Sequence, residues 1–355
     1  MSTSFQTLVV NATTGVELSY IDSGPPAAHG PYTTIFSIHG MIFSNVVFQQ
    51  MMALAPTQHY TQGVRIVAIN RRGFPGSTPF TPEELNVTLT GGSGDAEREV
   101  QVEARGHEIA MFIAIFIQKF DLPPFSGAGR PGGVVLFGWS VGAPFTTFAI
   151  ANADTLPEAT REVLRSHVRS LILYEAAPIA IGLPTPAQNW TPLVDSTIPA
   201  SLQLGAFSQW VTAYFDHAST TNKDLDSLSW VITSPSRVPT LYEIPAAQLT
   251  AMIQLGPAAS TDLPFLFFFG NQLLSTYRKA FYDSSTATLF PNMKRAVLCG
   301  NKTAAFGIAG LWAVEADQAT SSPQTEVTYE MMSGTNHLGP WDDAAKVLET
   351  VIRLA

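Results

Sequence analysis

Residues 134–153 read VVLFGWSVGAPFTTFAIANA. The run Val134–Phe137 is short and apolar throughout, as a strand covered on both faces of a sheet must be. From Ala143 to Ala153 the residues suit a helix. Between the two lies Gly138-Trp139-Ser140-Val141-Gly142, a serine with a glycine two residues to either side of it. A strand-to-helix turn that sharp puts its central residue in a strained backbone conformation, and the flanking glycines relieve contact with strand and helix. Ser140 then stands at a helix N-terminus, where free N–H groups and the dipole favour negative charge. A Gly-Ser turn without chemistry is the plainer alternative, and the strand before and helix after weigh against it.

Outward from that turn the same rhythm recurs. Leu8–Val10 and Val16–Ile21 read as a hairpin around Thr14-Gly15, followed by strands at Thr34–Ile38, Arg65–Ile69, Val168–Tyr174, Arg295–Leu298 and Val327–Met331. Helices are expected at Val46–Leu54, Glu97–Phe120 and Asp342–Leu354, the last with Val347, Leu348, Val351 and Ile352 on one face. Alternating strand and helix predicts an α/β fold built on a mostly parallel sheet. The rhythm breaks between Ala176 and Met293, a stretch rich in proline that carries Trp190, Trp210 and Trp230. A structureless loop of that length does not fit a compact domain. The expected organisation is therefore a core made of residues 1–177 and 293–355, interrupted by an inserted, mainly helical cap at 178–292.

Composition narrows the function classes. The 355 residues are 46% hydrophobic and 13% charged, with a formal charge of −9. That charged fraction is well below the ordinary value of about 25%. An acidic, ion-poor chain does not suit nucleic-acid phosphates. No apolar run is long enough to span a bilayer; Ile109–Phe120 reads as a buried helix. The start, MSTSFQTLVVNATTG, lacks a basic segment followed by an apolar one, so a cytoplasmic chain is the expectation. The single cysteine, Cys299, permits no internal disulfide and reads as a small buried apolar residue. His107-Glu108 opens like a zinc helix, but Met111 stands where the second histidine is needed. Gly91-Gly92 and Gly94 lack the Lys-Ser/Thr ending of a phosphate loop. His29, His59, His167 and His217 lie outside any motif. No residue pattern points to a metal or a cofactor.

Three stretches together, Ile35–Met41 (IFSIHGM), Val67–Ser77 (VAINRRGFPGS) and the Gly138–Gly142 elbow, resemble the α/β-hydrolase superfamily over nearly the whole chain. The resemblance implies a nucleophilic Ser140 and an oxyanion hole made of the Met41 and Val141 backbone N–H groups, donors fixed in place before charge develops. It places the general base in the loop after the last strand, where Ser333–Pro340 holds one histidine, His337. A serine hydroxyl is a poor nucleophile until an imidazole accepts its proton. His39 is expected to be structural.

The orienting acid departs from the usual pattern. Most relatives carry an Asp after the strand read here as Arg295–Leu298, where this chain has Cys299-Gly300-Asn301-Lys302-Thr303. A minority place the acid one strand earlier, and Val168–Tyr174 ends in Glu175, at the C-terminal edge of the sheet. Fungal zearalenone-type lactone hydrolases are similar in using Glu at this strand end. Asp317 and Asn301 are the alternatives, and a Glu175 that merely caps the chain's exit from the sheet is the bland one. Trp139, Trp190 and Trp210 are taken as candidate pocket walls, with burial in the cap's own core the competing reading. The resemblance thus implies a serine hydrolase cleaving an ester or lactone of a neutral or hydrophobic small molecule. Carbon–carbon bond hydrolysis, lyase, peroxide or thioesterase chemistry on the same site is one alternative. A ligand-binding protein that kept the fold without turnover is another. Relatives that open epoxides or remove halides carry Asp where this chain has Ser140.

Overall fold

The computed structural model describes residues 5–27, 30–56, 63–321 and 325–355; His29 and His59 lie outside them. The eight strands are β1 (Gln6–Asn11), β2 (Val16–Asp22), β3 (Thr33–Ile38), β4 (Val64–Ile69), β5 (Val134–Trp139), β6 (Val168–Tyr174), β7 (Lys294–Gly300) and β8 (Val327–Met332). They form one sheet in the order β1-β2-β4-β3-β5-β6-β7-β8. β1 and β2 pair antiparallel, β2 joins β4 antiparallel, and every pairing from β4 to β8 is parallel. β3, β4, β5 and β6 are buried at every residue, because helices cover both faces of the parallel region. β8, at the sheet's far edge, is only half-buried.

Two features set the packing on the faces. The long helix Asp95–Phe120 crosses helix Gly142–Ala151 so closely that a Cβ on Gly106 would lie 2.5 Å from the Phe148 carbonyl oxygen. On its sheet side, Phe112 and Phe116 meet Tyr20 edge-to-face at 5.3 and 5.6 Å, and Phe36 meets Phe116 at 5.5 Å. Such T-shaped pairs fill the space between layers while satisfying the ring quadrupoles. Helix Ala305–Thr320 lies hard against the exit of β6, where a Cβ on Gly310 would collide with the Ala176 carbonyl oxygen.

Between β6 and β7 the described residues form no strand but a series of helices and turns, including Ala200–Val211, Ala246–Met252, Leu263–Phe268 and Gly270–Tyr282. The last of these packs on helix Gly142–Ala151, so the inserted segment rejoins the helical layer before the chain re-enters the sheet. The parallel strands run in register, Gly138 opposite Leu173 and Leu173 opposite Val297. This brings the ends of β3, β5, β6 and β7 to one edge.

Candidate active site

β5 ends at Trp139 and helix Gly142–Ala151 begins three residues later, leaving Ser140 at φ 54°. The elbow needs its glycines for space. A Cβ on Gly138 would lie 2.7 Å from the Ala143 Cα, and one on Gly142 would lie 2.1 Å from the Ile38 carbonyl oxygen. The Ser140 N–H donates to the Tyr174 carbonyl at 2.8 Å, stitching the elbow to the end of β6.

The His39-Gly40-Met41 turn leaves β3 directly beside the serine. A Cβ on Gly40 would stand 2.8 Å from the Ser140 Cβ, so only glycine allows this approach. Met41 and Val141 both border the cavity that holds Ser140, and neither backbone N–H has an acceptor among the described residues. Ile42, the next residue, has φ 72° and is fully buried. For a β-branched side chain that conformation costs on the order of 1–3 kcal/mol and persists only where surrounding contacts impose it. His39 is buried and supports the turn. Its Nδ1 donates to the Gly40 carbonyl at 2.9 Å, and its Nε2 accepts from the Arg71 N–H at 3.1 Å. Burial first, and the Arg71 guanidinium second, hold its pKa well below the usual imidazole value, so it is neutral.

His337 sits in the loop after β8 and is 2% exposed; Glu175, the first residue after β6, is 0% exposed. The His337 Nδ1 lies 3.1 Å from Glu175 Oε2. The same carboxylate accepts from the Gly300 N–H at 2.6 Å and the Thr303 hydroxyl at 2.5 Å, so a buried charge is surrounded by donors. Glu175 has φ 59°, a left-handed conformation that points its side chain along the sheet edge toward the β8 loop. Below His337 lies Trp139, whose Nε1 donates to the His337 carbonyl at 2.9 Å and whose ring centre is 5.2 Å from the imidazole. Phe306 meets the imidazole edge-to-face at 5.2 Å.

The other residues weighed for the acid stand elsewhere. Asp317 pairs with Arg278 at 2.6 Å, and Asn301 accepts the Gly334 N–H through its side chain. Cys299 is buried and its thiol is pushed well up, by burial first and by Glu175 second, which keeps it protonated. His107 bonds the Thr155 hydroxyl at 2.7 Å, and among the described residues no cluster of three or more His, Cys, Asp or Glu could hold a metal.

None of Trp139, Trp190 and Trp210 borders the cavity beside Ser140. Trp139 points into the core under His337. Trp190 and Trp210 pack edge-to-face on each other at 5.7 Å, and Trp210 continues onto Phe207, Phe215 and Phe306. Each indole N–H has its own acceptor: the His337 carbonyl, the Asp195 carboxylate and the Val231 carbonyl. They build the wall from behind. The surface that faces Ser140 comes instead from Ile179, Leu193, Phe207, Leu263, Leu266, Phe267 and Phe306, with Asn189 and Thr191 adding polar groups. The cavity measures about 90 Å³. These residues carry no motif along the chain, being scattered apolar side chains. The run Leu263–Phe269 (LPFLFFF) was the visible signal, being too apolar for a surface turn.

No protein-family model matches this chain, and no curated protein does. Solved structures do. A bromoperoxidase from Bacillus anthracis superposes at TM-score 0.51 and 16% identity, covering 98% of each chain. A mutant epoxide hydrolase from Solanum tuberosum superposes at TM-score 0.52 and 13% identity, again covering 98% of each. At such identities the likeness concerns the backbone, and with the strand order above it shows that this chain has the α/β-hydrolase fold.

Proposed function

We propose that this α/β-hydrolase-fold chain is a serine hydrolase acting on an ester or lactone of a neutral, hydrophobic small molecule. The observation that carries the reading is the buried hydrogen bond between His337 and Glu175, in a chain whose strained Ser140 faces a cavity. Ser140 Oγ attacks the carbonyl carbon while its proton passes to His337 Nε2. Glu175 holds Nδ1–H toward itself, which fixes the tautomer and stabilises the imidazolium as it forms. The tetrahedral oxyanion accepts from the Met41 and Val141 N–H groups. Collapse breaks the bond to the leaving oxygen, which takes the proton from His337, and an acyl-Ser140 ester results. A water, deprotonated by His337, then releases the acid and restores the serine.

The cavity wall supports the substrate class. Among the described residues no charged side chain borders it, so a phosphorylated or ionised acyl group would lose its hydration without a partner. A largely apolar wall with the polar side chains of Asn189 and Thr191 suits an acyl or lactone chain carrying few polar atoms. Within the described residues no helix is long and apolar enough to cross a membrane.

A fluorophosphonate probe tests the reading. Wild-type protein should label at one site and Ser140→Ala should not. Equal labelling of the two proteins rejects Ser140 as nucleophile. A panel of esters, lactones, thioesters and β-diketones, with products weighed by mass spectrometry, separates ester hydrolysis from the carbon–carbon and thioester alternatives.

A further inference from the structure

The peptide joining Gly40 to Met41 is planar, so its carbonyl and its N–H point in opposite directions and turning one turns the other. Arg71 holds the carbonyl end. Its Nη2 donates to the Gly40 oxygen at 3.1 Å and its Nε to the His39 oxygen at 3.3 Å. Arg71 is itself held by the inserted segment: Nη1 and Nη2 meet the Asp262 Oδ1 and Oδ2 at 2.7 and 2.8 Å, with both side chains buried. A bidentate pair of this kind fixes the plane of the guanidinium as well as its position. On the other side of Met41, the Gln254 N–H donates to the Ile42 carbonyl at 2.6 Å. Phe43 forms a bridge with Ile253, and the Ser44 N–H and hydroxyl donate to the Met252 and Ala251 carbonyls at 2.8 and 3.0 Å. The left-handed Ile42 is thus clamped from both ends by residues 251–262.

We infer that residues 251–262 of the inserted segment set the direction of the Met41 N–H, with Asp262 a positioning residue that acts through Arg71. The inference rests on the serine-hydrolase reading above, which makes that N–H an oxyanion donor. On this account the inserted segment does more than roof the cavity: it completes the oxyanion hole. Leu263 and Leu266, on the helix that follows Asp262, border the cavity, so wall and donor share one mechanical support.

The decisive variant replaces both buried charges at once, Arg71→Met with Asp262→Leu, so that no unpaired charge is left behind. Hydrolysis of p-nitrophenyl acetate should then fall about 10- to 100-fold in kcat, with KM within about twofold, because the loosened donor acts only in the transition state. Fluorophosphonate labelling should slow by a similar factor. If the ion pair serves only to hold the fold together, the pair variant that regains wild-type Tm also regains wild-type kcat, and that result overturns the inference. Asp262→Asn, which keeps the shape and one acceptor oxygen, should show a smaller loss in kcat at unchanged KM. An unchanged kcat in that variant also overturns it. Ser140→Ala is measured alongside: hydrolysis that survives it indicts the serine-hydrolase reading and leaves the two failures distinct.

Discussion

Glu175 and Asp317 are both carboxylates downstream of the elbow, and their surroundings divide them. Glu175 is sealed from solvent with its oxygens on Gly300, Thr303 and His337, whereas Asp317 is engaged by Arg278. Glu175→Gln is therefore expected to lower kcat by about 10⁴-fold, the cost of presenting the wrong histidine tautomer, while Asp317→Asn leaves kcat within about twofold. Steady-state kinetics on one chromogenic ester measures both, and the reverse pattern would place the acid in the helix after β7. His39 makes a separate prediction about pH. Its folded-state pKa is depressed, so its contribution to stability is complete above the unfolded value of about 6.5 and is lost as pH falls below it. Unfolding free energy should therefore fall along a slope of that sign as pH drops, because the unfolded chain binds the proton that folded His39 does not. Urea titrations between pH 5 and pH 8 should show this slope in the wild type and a shallower one in His39→Gln.

Among the elements, the strands were legible because a parallel strand buried on both faces must be apolar nearly throughout, and Val134–Phe137 and Val168–Tyr174 have few other uses. Helices were less so. The helix Pro82–Thr90 opens with a capping box in which Thr81 and Glu84 satisfy each other's backbone N–H groups, a signal the apolar periodicity does not carry. The C-terminal helix expected over Asp342–Leu354 is two helices, Gly339–Asp342 and Ala344–Leu354. Asp342 is drawn to the inserted segment, where Tyr214 and Thr240 donate to its carboxylate. One contact between elements bears directly on the site. The start of helix Ala305–Thr320 presses on Glu175, and a Cβ at Gly307 would lie 2.4 Å from its Oε2. Gly307→Ala should push the carboxylate off His337 and reduce kcat about 10- to 100-fold with KM little changed. Retention of full activity would mean that the helix shifts instead, a movement a Tm measurement should detect as lost stability.

At the scale of the whole molecule, residues of the segment between β6 and β7 border the cavity that holds Ser140. The cavity measures about 90 Å³ and Phe207 borders it, so on the proposed ester-hydrolase reading this wall would limit the size of the acyl group. Phe207→Ala, which removes one aromatic face, should raise kcat/KM for p-nitrophenyl octanoate relative to the acetate by about tenfold. No change in the chain-length profile would remove Phe207 from the substrate wall.

The amino-acid sequence by itself determined the sheet and the elbow, and it marked His337 by its position. Those features are local: a short apolar run, glycines at fixed spacing, and one histidine after the last strand. Glu175 stands out along the chain because it abuts a strand end, whereas Thr303 and Gly307, which pack on its carboxylate, carry no such mark. Only the tertiary structure decided which residues border the cavity beside Ser140 and what holds the His39–Met41 turn. Trp190 and Trp210 turned out to pack on each other, and Asp262 to meet Arg71 across 191 positions of chain. Those outcomes depend on how an irregular, non-periodic segment folds back over the sheet. Contacts at that separation are selected by the total burial and hydrogen bonding of the fold, and leave no periodic trace along the chain.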